Sequence, residues 1–223
     1  MSKELEASVP VDFSLDEAIY NCRAMRKLRA DEVPEELLIK LVDAARQAPS
    51  GSNTQNSRWV VVRDPDVKRR LAEQNRKHAE PYIRPSLEGK LGTRQLSPEK
   101  HRRQLQAVMW QIEHMHEIPA LIVACFDYPE RAEGLGIYRA AGSVWPGVQN
   151  LLLTARALGL GAAPTTLALR DQDAIREILH LPETFAALCL IPVGYPMGNF
   201  GPVRRRPISE IMRFDTWNQA RKP

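Results

Sequence analysis

The 223-residue chain lacks any apolar run that could cross a membrane. Its longest runs, such as Ala120–Phe126, fall far short of the ~20 residues a spanning helix needs. It is poor in cysteine: Cys22, Cys125 and Cys189 form an odd, widely spaced set, two of them within apolar runs. That pattern reads as free thiols in a reducing compartment, not as a disulfide framework. The opening Met1-Ser-Lys-Glu-Leu-Glu6 has acidic residues and no apolar stretch, so it does not read as a secretory signal, and a cytoplasmic location is expected. No repeat or low-complexity tract occurs.

Several chemistries are missing as well. Gly134-Leu-Gly136 meets Arg139 where a dinucleotide fingerprint needs its third glycine, and no strand directly precedes it. No Gly-Lys-Ser/Thr phosphate loop and no Gly-x-Ser-x-Gly elbow is present. His116 is followed four residues later by Ala120, so the two-histidine zinc helix is excluded. His114 and His116 lie two apart and face different sides of a helix, so no metal site is expected. The five histidines sit in polar settings and read as surface residues.

What is present is an ordinary globular composition, 43% hydrophobic and 26% charged, which excludes a disordered or fibrous chain. Length allows one or two domains. We expect a loose arm over 1–13 and a single domain over 14–223. The 31 Lys+Arg outnumber the 27 Asp+Glu, for a net charge of +4. Basic residues recur at Arg23–Arg29, Arg84–Arg103 and Arg204–Arg206. The middle group is mixed with Glu88 and Glu99 and reads as solvated surface. The outer two stand at opposite ends of the chain, and a fold can bring them together around one small anion. That differs from the continuous basic stripe of a nucleic-acid binder.

Along the chain, Ser14-Leu-Asp-Glu17 is a capping-box pattern that predicts a helix to about residue 22. Pro34 opens a second helix, with Leu37, Leu38, Leu41, Val42 and Ala45 on one face. Pro49-Ser-Gly-Ser52 ends it in a loop. Trp59–Val62 reads as a buried strand, and a third helix runs from Asp64-Pro-Asp66 to about His78. Residues 79–97, with Pro81, Pro85, Gly89 and Gly92, predict a long excursion. A helix follows from Pro98 to about His116, and together 79–116 form a candidate lid carrying Tyr82, Met109, Trp110 and Met115. Ala120–Phe126 and Ala186–Val193 read as strands. Helices are predicted over about 137–158, kinked or restarted at Pro146, and over 171–180. Strands alternating with helices argue three layers around a sheet.

Four segments stand out, each with a bland alternative. Arg23-Ala-Met-Arg26 can clamp an anion by bidentate hydrogen bonds, or merely complement a helix dipole. Ser50-Gly-Ser-Asn-Thr-Gln55 lets backbone approach a ligand, with Asn53 both donor and acceptor, or is a plain polar turn. Pro164-Thr-Thr166 can face a ring system or cap a helix. Arg204-Arg-Arg206 offers a second guanidinium cluster or a solvated tail.

Taken in order, Cys22-Arg-Ala-Met-Arg26, Val33-Pro34, Ala48-Pro-Ser-Gly-Ser-Asn-Thr-Gln55, Trp59–Val62, Gln149-Asn150, Ala157-Leu-Gly-Leu-Gly161, Pro164-Thr-Thr166, Val193-Gly-Tyr-Pro196 and Arg205-Arg-Pro207 resemble the flavin-dependent nitroreductase family. The likeness runs from about Ser14 to Met212. It implies an α+β, three-layer α/β/α fold with a mixed central sheet, an intertwined homodimer, and FMN at the subunit interface. It implies that Arg23, Ala24, Met25 and Arg26 hold FMN from one subunit, with Arg205 joining near the phosphate. Pro164, Thr165 and Thr166 would line the flavin near N5. Pro49, Ser50, Gly51, Ser52, Asn53 and Gln55 would reach it from the partner, and the extension 197–223 would pack on that partner. The chain departs from the common pattern at Cys22, where an arginine is frequent, and at Ala24, where a serine is.

The expected activity is an oxidoreductase that takes hydride from NADH or NADPH and passes it to a nitroaromatic or quinone-type acceptor in ping-pong fashion. The cofactor carries the redox chemistry, so no catalytic acid or base is nominated among the side chains. Arg23 or Arg26 is the candidate cation for the flavin's N1–C2 end. Neither nucleic acid nor membrane is expected as a partner. Two rivals remain open: a related flavin reductase with another acceptor, of ene-reductase or reductive dehalogenase type, and a non-enzymatic basic interaction protein using Arg204–Arg206.

Overall fold

The two most apolar segments of the chain become its two central strands. In the computed structural model, residues 12–89, 97–128 and 135–217 are described, with side chains for all of these but 135–139. Strand β2 (Ala120–Asp127) pairs on one side with β1 (Ser57–Val62) and on the other with β4 (Phe185–Gly194). The two-residue β3 (Gly161–Ala162) pairs with the far edge of β4, giving the order β1-β2-β4-β3. Every pairing is antiparallel, so within one chain the sheet is not the mixed sheet expected.

Both faces of this sheet are buried, and side-chain alternation along a strand divides them. Ala120, Ile122, Ala124 and Phe126 join one core with α2 (Glu35–Arg46) and α5 (Leu135–Ala157). Leu121, Val123 and Cys125 join the other with α3 (Pro65–Leu87) and α6 (Gln172–Leu179). The register shifts between Ala124 and Cys125, which pair with Cys189 and Ala187. Leu188 is the extra residue of this bulge, so Leu188 and Cys189 both enter the first core. Three layers result. Helix α5 crosses α2 closely at Gly147, where a Cβ would lie 2.8 Å from the Ala45 carbonyl oxygen.

Helix starts follow their caps. Ser14 precedes α1 (Leu15–Asn21), Asp64 accepts from the N–H groups of Asp66 and Val67, and Asp171 accepts from that of Ala174. Ser97 caps α4 (Pro98–His114). A short α7 (Ile208–Ile211) stands in the tail.

One proline expectation fails: helix α3 continues through Pro81 and Pro85 to Leu87, where an excursion from residue 79 is predicted. Helix α5 spans Pro146 as one element, without a restart. In α3 the apolar face extends past the prolines: Ala79 and Ile83 pack with Leu105, Met109 and Ile112 of α4. That burial offsets the backbone bonds proline removes. The candidate lid 79–116 is therefore largely a helical hairpin, whose residues 90–96 lie outside the described part. Met109 and Met115 are core residues, Trp110 stacks on His114, and Tyr82 is exposed. His78 and His101 each bury a ring nitrogen, against the surface reading.

Candidate functional site

The segment after α1 does not continue as helix, because it is threaded into the sheet edge. Met25 N–H donates to Ala162 O at 3.0 Å, Arg29 N–H to Tyr195 O at 2.8 Å, and Met197 N–H to Lys27 O at 3.0 Å. Met25 and Leu28 thereby face the second core and are buried. Arg23 and Ala24, just before the buried Met25, are exposed. Arg23 lies beyond the C-cap of α1, not within its last turn, so the helix-dipole reading does not describe it.

Arg23, Ala24 and Cys22 line a cavity of about 450 Å³ with Pro164, Val203 and Arg205, floored by Gln149, Leu152 and Arg156 of α5. The two outer basic clusters of the sequence thus meet in one cleft. Val203 N–H donates to Tyr20 O at 2.9 Å, which binds the tail to α1 beside the cavity. Its lining combines three guanidinium side chains with apolar walls from Ile19, Leu152, Leu160, Ala162 and Phe200. Such a cavity has the size of a cofactor site and suits a ligand with an anionic end and a flat apolar body. The Cys22 thiol sits half-buried there; burial raises its pKa, while the charges of Arg156 and Arg205 pull it back.

Other nominated residues lie around this cleft or away from it. Arg26 does not line it; it is half-buried, and burial pushes its guanidinium pKa down. Pro164 lines it, whereas Thr165 spends its backbone N–H and carbonyl on Leu190, at 2.8 and 2.9 Å. Thr166 heads a 3₁₀ turn but makes no side-chain cap. Pro49 and the loop Ser50–Gln55 do not line the cavity of their own chain. That loop rests on α5 through a 3.1 Å bond from Gly51 N–H to Ser143 Oγ, about 20 Å along the helix from Arg156. Gly51 to Gln55 are exposed, yet Ser52, Asn53 and Gln55 all hold positive φ, near +50°. Three non-glycine residues in that region within four positions store strain of a kind that collects at ligand clamps. Arg204 and Arg206 remain exposed, the latter 4.0 Å from Glu210.

Sequence reasoning missed Arg156. It stands between the Gln149-Asn150 and Ala157–Gly161 motifs without belonging to either, and the packing of α5 against both chain ends brings it to the cleft. Among the described residues no group of acidic, histidine or cysteine side chains is placed to hold a metal, and no helix is long and apolar enough to span a membrane.

The fold and cleft together define an α+β protein with a cationic cofactor-sized cavity beside a sheet edge. Comparison with known proteins makes this specific. The nitroreductase family model matches residues 19–195, so the chain belongs to that family. A Thermus thermophilus NADH dehydrogenase is 29% identical over 230 residues, covering 93% of this chain and 98% of that one. A Thermotoga neapolitana iodotyrosine deiodinase is 27% identical over 199 residues, covering 87% and 94%. Oxidised iodotyrosine deiodinase bound to FMN and 3-iodo-L-tyrosine superposes with a TM-score of 0.70 at 22% identity, over 92% of this chain and all of that one.

Proposed function

We propose that this chain is an FMN-dependent oxidoreductase that accepts hydride from NADH or NADPH and reduces a small electron-poor acceptor of the nitroaromatic or quinone class. The observation that carries the reading is the meeting of Arg23 and Arg205, from opposite ends of the chain, in one cavity with Pro164. Family membership and an FMN-bound structural neighbour support the choice of flavin. Bound FMN would supply reversible hydride transfer at its ring. The chain's own residues would do the rest. Arg205 would hold the phosphate end by charge-assisted hydrogen bonds, while Leu160, Ala162 and Pro164 would pack the apolar body and exclude water from it. Of the two cations considered for the N1–C2 end, Arg23 lines the cavity and is the better placed; Arg26 would act from behind it.

We further propose that the working form is a homodimer. Large apolar side chains stand exposed along the tail, at Met197, Ile208, Ile211, Met212, Phe214 and Trp217. Such a concentration marks an interaction surface. Strand β1 is an open edge, and beside it a groove of about 440 Å³ runs between β1 and α2, lined by Leu38, Ile39, Val42, Trp59 and Val61. A partner's tail would cover that ground. The strained loop Ser50–Gln55, facing away from its own cavity, would then complete the partner's.

The kinship with iodotyrosine deiodinases keeps a reductive dehalogenase as the second reading. One preparation tests both levels. The purified chain is expected to be yellow, with flavin absorbance, and to oxidise NADH or NADPH only when an acceptor is supplied. A colourless chain that FMN cannot reconstitute overturns the flavin reading. Turnover of 3-iodotyrosine, with none of nitroaromatics or quinones, replaces the first acceptor class by the second.

A further inference from the structure

Arg156 belongs to neither basic cluster of the sequence, yet it is the most constrained guanidinium in the cleft. Its Nη2 donates to Glu17 Oε1 at 2.9 Å. Its guanidinium carbon lies 4.6 Å from the Phe13 ring centroid and 4.4 Å from that of Phe200, so an aromatic ring of the N-terminal segment and one of the C-terminal segment both rest against it. The side chain is only 13% exposed. Among the described residues its buried Nε–H finds no acceptor, as is also true of Arg176. Arg156 lines the same cavity as Arg23 and Arg205, and no acidic side chain stands among the described residues that line it. Glu17 is half-exposed and engages the far nitrogen, so it neither satisfies Nε nor neutralises the three cations. Cys22 stands close enough to feel the Arg156 charge.

We propose that Arg156 is a third cation of the cofactor site, pairing its guanidinium with the phosphate of FMN. Phe13, Phe200 and Glu17 hold it for that purpose. The assignment rests on the flavin reading above. It makes affinity depend on Arg156 only when the ligand carries a phosphate.

Riboflavin has the same ring system and no phosphate, so it separates this role from a structural one. The full-length chain, stripped of flavin, is titrated with FMN and with riboflavin by fluorescence quenching. Arg156→Gln is expected to weaken FMN about ten-fold or more, as loss of a charge-assisted bond implies, and to leave riboflavin nearly unchanged. Arg156→Lys keeps the charge without the guanidinium, and is expected to fall between. Should the glutamine variant fail to melt cooperatively, the lysine variant's ratio of FMN to riboflavin affinity decides alone. Equal loss for both ligands, or no loss for FMN, overturns the assignment. A wild-type chain that binds neither ligand overturns the flavin reading, and the assignment with it; binding of both with equal affinity overturns the phosphate role alone.

Discussion

The backbone N–H of Met25 donates to the carbonyl of Ala162 at 3.0 Å, and one residue earlier on β3 there is no room for any side chain. A Cβ on Gly161 would lie 2.7 Å from Leu28 Cδ2 and 2.8 Å from Met25 Cβ. The glycine is what lets the arginine-bearing segment lie flat against the sheet edge. Gly161→Ala is therefore expected to cost about 1–3 kcal/mol of stability, as overpacking does. It is also expected to weaken FMN, because Arg23 moves with Met25. Urea unfolding and flavin titration of the same variant check both. A stability loss with unchanged FMN affinity would separate Gly161 from the site.

Much of this was legible in the sequence, and the rest was hidden for physical reasons. Ala120–Phe126 and Ala186–Val193 show themselves as strands because both sheet faces are buried there and the runs are apolar throughout. Trp59–Val62 shows itself by its β-branched run, but it is an edge strand in which only Val62 is buried, not the buried strand expected. The meeting of Arg23 with Arg205 was what the family resemblance implied, and the charge pattern alone only allowed it. Helix α3 beyond residue 78 was not, because local proline chemistry argues against it and only packing on α4 outweighs that preference. Arg156 was not, because its partners Glu17, Phe13 and Phe200 are distant in sequence. Glu17 shows the same limit: Ser14 makes its half of the capping box, at 3.5 Å, while the glutamate bonds Arg156.

Thiol chemistry should report cavity occupancy. Cys125 and Cys189 are fully buried, whereas Cys22 is half-buried and lines the cleft. A thiol reagent on the native chain is expected to modify Cys22 alone, and saturating FMN should slow that reaction markedly. Peptide mapping after timed labelling identifies the site. Labelling at an unchanged rate with FMN bound would place the cofactor elsewhere.

Alkaline pH should destabilise the fold through the two core thiols. Burial pushes Cys125 and Cys189 from the ordinary 9.0 up to about 12. The unfolded chain releases these protons first, so it binds fewer than the native state above pH 9. Their stabilising contribution is complete below that pH and falls as pH rises towards 12. The pair adds a slope approaching about −3 kcal/mol per pH unit to the unfolding free energy in the middle of that window. Denaturant melts from pH 8 to 11 measure it. The double variant Cys125→Ala, Cys189→Ala should start less stable and decline less steeply; a parallel decline would assign the alkaline loss to other groups.

The tail tests the dimer without touching the cleft. Ending the chain after Pro207 removes Ile208, Ile211, Met212, Phe214 and Trp217, all exposed, and keeps Arg205. If these side chains cover a partner's β1 edge, the shortened chain should sediment as a monomer, or associate far more weakly. FMN affinity should fall with it, because the partner's Ser50–Gln55 loop no longer reaches the cavity. The paired change Ile211→Asp, Trp217→Asp should do the same in the full-length chain, since charge is costly to bury against Leu38, Val42 and Trp59. A shortened chain that remains dimeric and binds FMN as the full chain does would remove the tail from the interface. A monomer with unimpaired FMN affinity would show that one chain builds the whole site and that the strained loop serves some other contact.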